Sequence, residues 1–302
     1  MARNLKLQNK TILIGYASAI VASALFGAVP TMAKPLVSNV NILLLAAMTY
    51  LIASATFTPL AHKSKILFSK KDYSILIIVS ICGATLGPLF YFLGLNQSTA
   101  SDTSLLSNAE IVFTVLLALI FFKERLKPVG FVAVGLVLFG VTIITTNLQF
   151  SNSLFHINSG HLLILGATAL WALDNNLSRI ISTRINSARL VQLKYAIGGT
   201  IMLGIIFSTK VPFQINPSQI PYVVLLSILG IGGSLYFFLH SLKRIGTIRT
   251  IVLFSMSSVF GLIFAGLFLH EQISPFQIIA IIVMLTGIYL INRKESLKEN
   301  IL

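Results

Sequence analysis

Two carboxylates stand where an apolar chain should have none. Glu110 and Asp174 each fall inside a run long and apolar enough to cross a lipid bilayer. A charge at the bilayer centre costs about 3 kcal/mol on insertion scales. Such a group faces a wet cavity or the interior of a helix bundle, where it meets a solute, an ion or a proton. Asp174 has company. Trp171, Asp174, Asn175 and Ser178 follow i, i+3, i+4, i+7 spacing, and Thr168 extends the row by one turn. They are expected on one helix face. An aromatic plate, an amide and a carboxylate together suit a polar, partly apolar solute such as an amino acid. The purely structural use of the same residues is hydrogen bonding that ties helices together. That reading applies most directly to Asn176, which points away from the row. Ser107, Glu110 and Thr114 share a face on another helix. Counted from the outer ends of their helices, Glu110 lies roughly 10 Å deep and Asp174 roughly 20 Å. The two acids are therefore expected at different depths, with no need to be partners.

Other candidates are weaker. Gly83, Gly87, Tyr91 and Gly94 line one face of a third helix that also holds Pro88, and Gly230, Gly232 and Gly233 precede Tyr236 in an eighth. Small residues at this spacing let helices approach closely, and Pro88 removes a backbone bond and is expected to kink its helix. Glycine-interrupted segments at matching places in two halves also point to a translocation path, which puts Tyr91 and Tyr236 near it. Gly27 and Pro30 suggest a similar break in the first helix. Lys194, just inside a seventh helix, is the cation to test for an anionic solute. Lys34 and Arg179 fall near helix ends and are expected to snorkel to the interface. Glu124 and Glu271 close two helices and are helix-end or gate candidates. The plainer reading has each accept hydrogen bonds from the first N–H groups of the helix that follows, which starts at Pro128 or Pro275. Nothing reads as catalysis. The five histidines are scattered, no metal spacing occurs, no nucleotide-binding glycine motif follows a strand, and no cofactor is implied.

The elements that position these residues follow from composition. Apolar residues make up 56% of the 302, charged residues 10%, and mean hydropathy is +0.90. So few charges cannot cover the surface of a soluble domain. The fold class is an all-α polytopic membrane protein with ten transmembrane helices. They are expected near 11–32, 41–60, 73–95, 103–122, 128–147, 160–182, 190–209, 218–241, 247–269 and 275–292. With the N-terminus in the cytoplasm, 20 of the 22 Lys and Arg residues sort to the inner side, leaving Lys34 and Lys210 outside. That asymmetry fits an even helix number and places both termini in the cytoplasm. The net charge of +14 therefore orients a membrane protein and does not imply nucleic acid. Cys82 stands alone, so neither a disulfide nor a thiolate metal site arises.

The phrase Phe121-Phe122-Lys123-Glu124-Arg125-Leu126-Lys127-Pro128 is echoed by Phe268-Leu269-His270-Glu271-Gln272-Ile273-Ser274-Pro275, 147 residues on. The same offset pairs Ser80 with Ser227, Gly83 with Gly230, Phe113 with Phe260 and Gly140 with Gly287. The chain reads as two five-helix copies, 11–147 and 160–292, with tails at 1–10 and 293–302. Five is odd, so the second copy enters the membrane from the opposite side and the repeat is inverted.

The run Ser104-Leu105-Leu106-Ser107-Asn108-Ala109-Glu110-Ile111-Val112-Phe113 leading to Lys123-Glu124-Arg125-Leu126 resembles the drug/metabolite transporter superfamily, EamA type. So does Leu170-Trp171-Ala172-Leu173-Asp174-Asn175-Asn176-Leu177-Ser178-Arg179. The resemblance spans nearly the whole chain. It implies a secondary transporter of the plasma membrane that moves small organic metabolites, often outward, by alternating access. Ser257 stands where Glu110 stands in the first copy, so the acidic position is not symmetric. At least one of the two acids is expected to titrate during transport and couple solute movement to protons. The competing readings are an uptake carrier or nucleotide-sugar-type antiporter, and, from other classes, a channel or membrane-embedded enzyme. The last would need acids or histidines clustered on facing helices.

Overall fold

The computed structural model describes residues 2–61, 68–121, 128–146, 158–181, 185–245 and 247–299. Among them every regular element is helical, as buried apolar sequence demands when backbone groups must be satisfied within the segment. Helix α1 covers Ala2–Val37, α2 Ile42–Ala61, α5 Pro128–Thr146, α6 Ser159–Ile181, α7 Ser187–Thr209 and α10 Pro275–Glu299. Four further helices are irregular. Helix α3 runs through Lys70–Ile81, a π-turn at Cys82–Leu86 and Gly87–Asn96. Helix α8 starts in a 3-10 turn at Pro217–Gln219, passes through Ile220–Leu225 and a π segment at Leu226–Gly233, and ends as Ser234–Ile245. Helix α4 is split into Ala100–Leu106 and Ala109–Phe121, and α9 into Thr247–Phe254 and Ser257–Phe268.

The ends of the π segments and the two helix breaks obey the 147-residue offset or come within a residue of it. The π segments of α3 and α8 end at Leu86 and Gly233. The Ser80 hydroxyl, just before the first, donates to the Leu76 carbonyl at 2.7 Å, and that of Ser227, near the start of the second, to Val223 at 2.6 Å. The kink expected at Pro88 is instead a widened turn ahead of it, and Pro88 sits harmlessly in the first turn of Gly87–Asn96. Unbroken helices over 103–122 and 247–269 are not what forms. Around Ser107 and Asn108 the backbone tightens to i→i+3 bonds, from Asn108 N–H to Leu105 and from Glu110 N–H to Ser107. The Ser107 hydroxyl competes for a helix carbonyl, donating to Thr103 at 2.8 Å. The expected break in the first helix is absent. Helix α1 continues through Pro30 and Pro35 to Val37, with Gly27 packed so closely on Ser257 and Phe260 that no side chain fits there.

Equivalent helices of the two copies pack against each other, antiparallel. On α2 and α7, the Ser54 hydroxyl donates to the Gln192 carbonyl at 2.9 Å while Gly199 meets Leu51 and Ala47. On α5 and α10, Gly140 lies against Ala280 and Met284, and Gly287 against Ala133 and Val137. The remaining helices exchange partners in the same sense: α1 packs on α8 and α9 as α6 packs on α3 and α4. Glycine at each crossing brings backbones close enough for dispersion to hold them without a hydrophobic driving force. One apolar core joins α1, α2, α3, α7 and α8 around Phe57, Phe92 and Met202, and a second joins α4, α5 and α10 around Leu105, Val137 and Met284. Among the described residues, seven helical stretches are long and apolar enough to cross a membrane, and parts of α9 and α10 are shorter apolar helices.

Candidate functional site

Asp174 is buried, and both of its carboxylate oxygens are engaged. Oδ1 accepts from the Ser178 hydroxyl at 2.8 Å, one turn along α6. Oδ2 accepts from Lys194 Nζ of α7 at 2.5 Å. Lys194 is thus an interior charge rather than one of the inner-side loop cations. Helix α6 packs on α3 and α4 but not closely on α7, and the lysine stem spans that gap. Opposite, Gly83 of the α3 π-turn leaves room for the carboxylate; a Cβ there would overlap it. Trp171, one turn before Asp174, donates its indole N–H to the Gly83 carbonyl at 3.2 Å. The widened turn frees that carbonyl from its usual helical role.

Glu110 begins the second half of α4. Its Oε1 accepts from the Asn175 side-chain amide at 2.7 Å. The two acids are therefore level, attached to neighbouring residues of α6, and the expectation of separate depths is corrected. Counting residues along straight spans ignores helix tilt and the break that resets α4 at Ala109. Glu110 is partly buried, and Asn175 is exposed. The row expected on α6 accordingly divides. Trp171, Asp174 and Ser178 turn to α3 and α7, while Asn175 turns to α4. Asn176, buried, donates to the carbonyls of Thr114 at 3.1 Å and Ala172 at 2.9 Å, which is the helix-tying role. Thr114 contributes to that contact through its backbone.

Aromatic rings bound the cluster. Tyr91 packs on Trp171 with centroids 5.2 Å apart, and its hydroxyl meets Ser107. Both line a small void of about 10 Å³ with Phe26, Pro30, Ser104 and Ser257, between the breaks of α4 and α9. Tyr50 of α2 and Tyr195 of α7 meet edge to face at 4.7 Å and feel the charges of Glu110 and Asp174. The sequence reading missed both. Tyr195 adjoins Lys194, a signal of sorts, while Tyr50 lies in an apolar span with nothing to mark it.

Tyr236 is not brought to this cluster. It is exposed on α8, stacked on His240 at 5.8 Å. The 147-residue offset explains the miss, because it maps Tyr91 onto Phe238, two residues on and roughly half a helical turn round. Phe238 packs inward on Phe254 at 4.9 Å. Glu271 is a helix-end acceptor, but not for the helix that follows it. Its carboxylate takes the N–H groups of Ala100 and Ser101 at 2.8 and 2.9 Å and the Ser101 hydroxyl at 2.6 Å, so it caps α4 of the other copy. Lys34 Nζ donates to the carbonyls of Leu95, at 2.7 Å, and Ser98 at the end of α3. Nearby, Asp102 accepts from Gln277 at 2.7 Å and lies 3.3 Å from His161 Nε2. Together these contacts clasp the ends of α1, α3, α4, α6 and α10. Glu124 and most of the link between the copies lie outside the described residues, as does the side chain of Arg179.

A model of the EamA-like transporter family matches the chain twice, over residues 13–146 and 158–293. An uncharacterized transporter of Methanothermobacter thermautotrophicus is 30% identical over 295 residues, covering 92% of this chain and 86% of that one. The uncharacterized transporter YetK of Bacillus subtilis is 21% identical over 285 residues, 91% of this chain and 85% of its own. A crystal structure 19% identical in sequence superimposes with a TM-score of 0.63 over 93% of this chain and 96% of its own, which speaks to the fold alone. With two copies of the family unit filling the helices described above, the chain belongs to the EamA-like transporters of the drug/metabolite transporter superfamily, and is a multi-pass membrane transporter rather than an enzyme.

Proposed function

We propose that the protein is a secondary exporter of small organic metabolites such as amino acids, working by alternating access between two inverted five-helix copies and coupled to protons. Ten spans with both termini in the cytoplasm accommodate the basic residues and the antiparallel pairing of α2 with α7 and α5 with α10. The observation that carries the reading is the cluster at the broken helices. Glu110 bonds Asn175 and Lys194 bonds Asp174, two pairs built on neighbouring residues of α6 inside apolar helices, where such groups stand on solute and proton pathways. The clasp of Glu271, Lys34 and Asp102 ties helix ends on the side read as outer, an arrangement suited to loading from the cytoplasm.

The test is flux in proteoliposomes holding the full chain. Amino acids and other small metabolites should move saturably, faster with an opposing proton gradient. In Glu110→Gln, and in Asp174→Asn combined with Lys194→Met, the pH dependence should collapse while folded yield holds. Unchanged flux and pH dependence in both variants would dismiss proton coupling, and absence of saturable flux for every solute would dismiss the carrier itself.

A further inference from the structure

The turn between α3 and α4 is held by two opposite charges that come from neighbouring helices. Lys34, near the end of α1, donates Nζ to the carbonyls of Leu95 at 2.7 Å, Asn96 at 3.5 Å and Ser98, at the C-terminal end of α3. Glu271, just beyond α9, accepts from the N–H groups of Ala100 and Ser101 and from the Ser101 hydroxyl, at the N-terminal end of α4. Each charge suits the helix end it meets, a cation on carbonyls and an anion on N–H groups. Helix α1 packs on α9, while α3 and α4 each pack on α6, so both contacts cross from one group of helices to the other. Lys34 and Glu271 feel each other's charge. Among the described residues they nonetheless form no ion pair; each spends its hydrogen bonds on the turn. Asp102, the other acid at this end, is taken by Gln277 and His161.

Alternating access requires this end to open. Lifting the α3–α4 turn away strands a cation and an anion together on the helices left behind. The lysine stem is flexible enough to swing to the carboxylate. Resting on the carrier reading above, we propose that Lys34 and Glu271 form a partner-exchange latch: closed, each caps one helix end of the turn; open, they pair with each other. Neither charge is left bare in either state, so no uncompensated charge opposes opening. The two states then stay close in energy, and a modest difference in solute affinity selects between them. The latch depends on sign and place. Exchanging the two charges keeps the open pair and sets each charge against the helix end it meets when closed.

Ser98→Cys in a Cys82→Ser background reports opening, because Ser98 is buried at the turn and its hydroxyl has no hydrogen-bond partner among the described residues. The full chain in lipid nanodiscs is labelled with a thiol reagent, and the rate is read. Lys34→Met and Glu271→Gln should each speed labelling a few-fold. Either change alone already forfeits the open pair, which the double variant loses only once. The double should therefore exceed the product of the two single factors, by about threefold or more. Lys34→Glu combined with Glu271→Lys should label faster still. A double at or below the product overturns the proposal, because the two caps are then independent. So does an exchanged protein that labels no faster than the reporter alone, the outcome of a fixed ion pair. The neutral variants decide the matter if the exchanged protein fails to fold. No solute enters this assay, so the latch stands or falls apart from the carrier. Absence of saturable flux in proteoliposomes counts against the carrier reading alone.

Discussion

Removing one partner of the Lys194–Asp174 pair should cost far more than removing both. The side chains are 11% and 4% exposed and their charged atoms stand 2.5 Å apart. Breaking a buried pair from one side leaves an uncompensated charge, at a cost of about 3–5 kcal/mol. Lys194→Met strands Asp174 with only the Ser178 hydroxyl, and Asp174→Asn strands the lysine beside the Tyr195 ring, 5.8 Å from its centroid. The double variant carries no charge, keeps comparable volume and preserves an amide that Ser178 can bond. It should lose only about 2 kcal/mol or less, so the singles overshoot the double by several kcal/mol. The assay is denaturant unfolding in detergent micelles, followed by far-ultraviolet circular dichroism for wild type, both singles and the double. Strictly additive losses would refute the reasoning, because they would mean that each group is solvated independently and the gap between α6 and α7 is wet throughout. A Gly83→Ala substitution should act in the same direction as the singles, since its methyl occupies the place of the carboxylate.

Two further outcomes probe the scaffold. Gly287→Ala forces a methyl against the Ala133 carbonyl, 2.7 Å away, and should destabilise the protein by about 1–3 kcal/mol. Gly135→Ala meets nothing within 4 Å and should be neutral or gain up to about 1 kcal/mol from helix propensity; the same denaturant titration ranks them. Glu271→Ala removes a charged acceptor from two backbone N–H groups and should cost about 2–3 kcal/mol. In a Cys82→Ser background it should also speed labelling of Ser98→Cys by an impermeant thiol reagent, because Ser98 is buried beneath the clasp.

The repeat was legible because Glu, Pro and Gly at one fixed offset survive in an otherwise interchangeable apolar text. The π segments could be anticipated only as trouble: Gly83, Pro88 and Gly230 signal an irregular helix without saying which irregularity. The split of α4 had a cue in Ser107-Asn108, residues that compete with the helical backbone, but a ten-residue apolar continuation masks it. The pairings in the site were not legible. Asn175 with Glu110, and Glu271 with Ala100, join residues 65 and 171 positions apart. Which helices neighbour one another decides such contacts, and periodicity along one helix carries no trace of it. Tyr50 illustrates the limit, since a tyrosine in an apolar span reads as core until α7 is known to lie beside it.

The antiparallel crossing of α5 on α10 has a consequence for biogenesis. Helix α5 ends at Thr146, yet the residues that cover Gly140 are Ala280 and Met284. A nascent first copy therefore dwells in the bilayer with a glycine-lined face bare until the last helix is synthesised. Lipid must occupy that face in the interval and be displaced late. Premature termination within α10 would thus strip the earliest-inserted half of its seam, and quality control would see the defect in helices whose own sequence is intact.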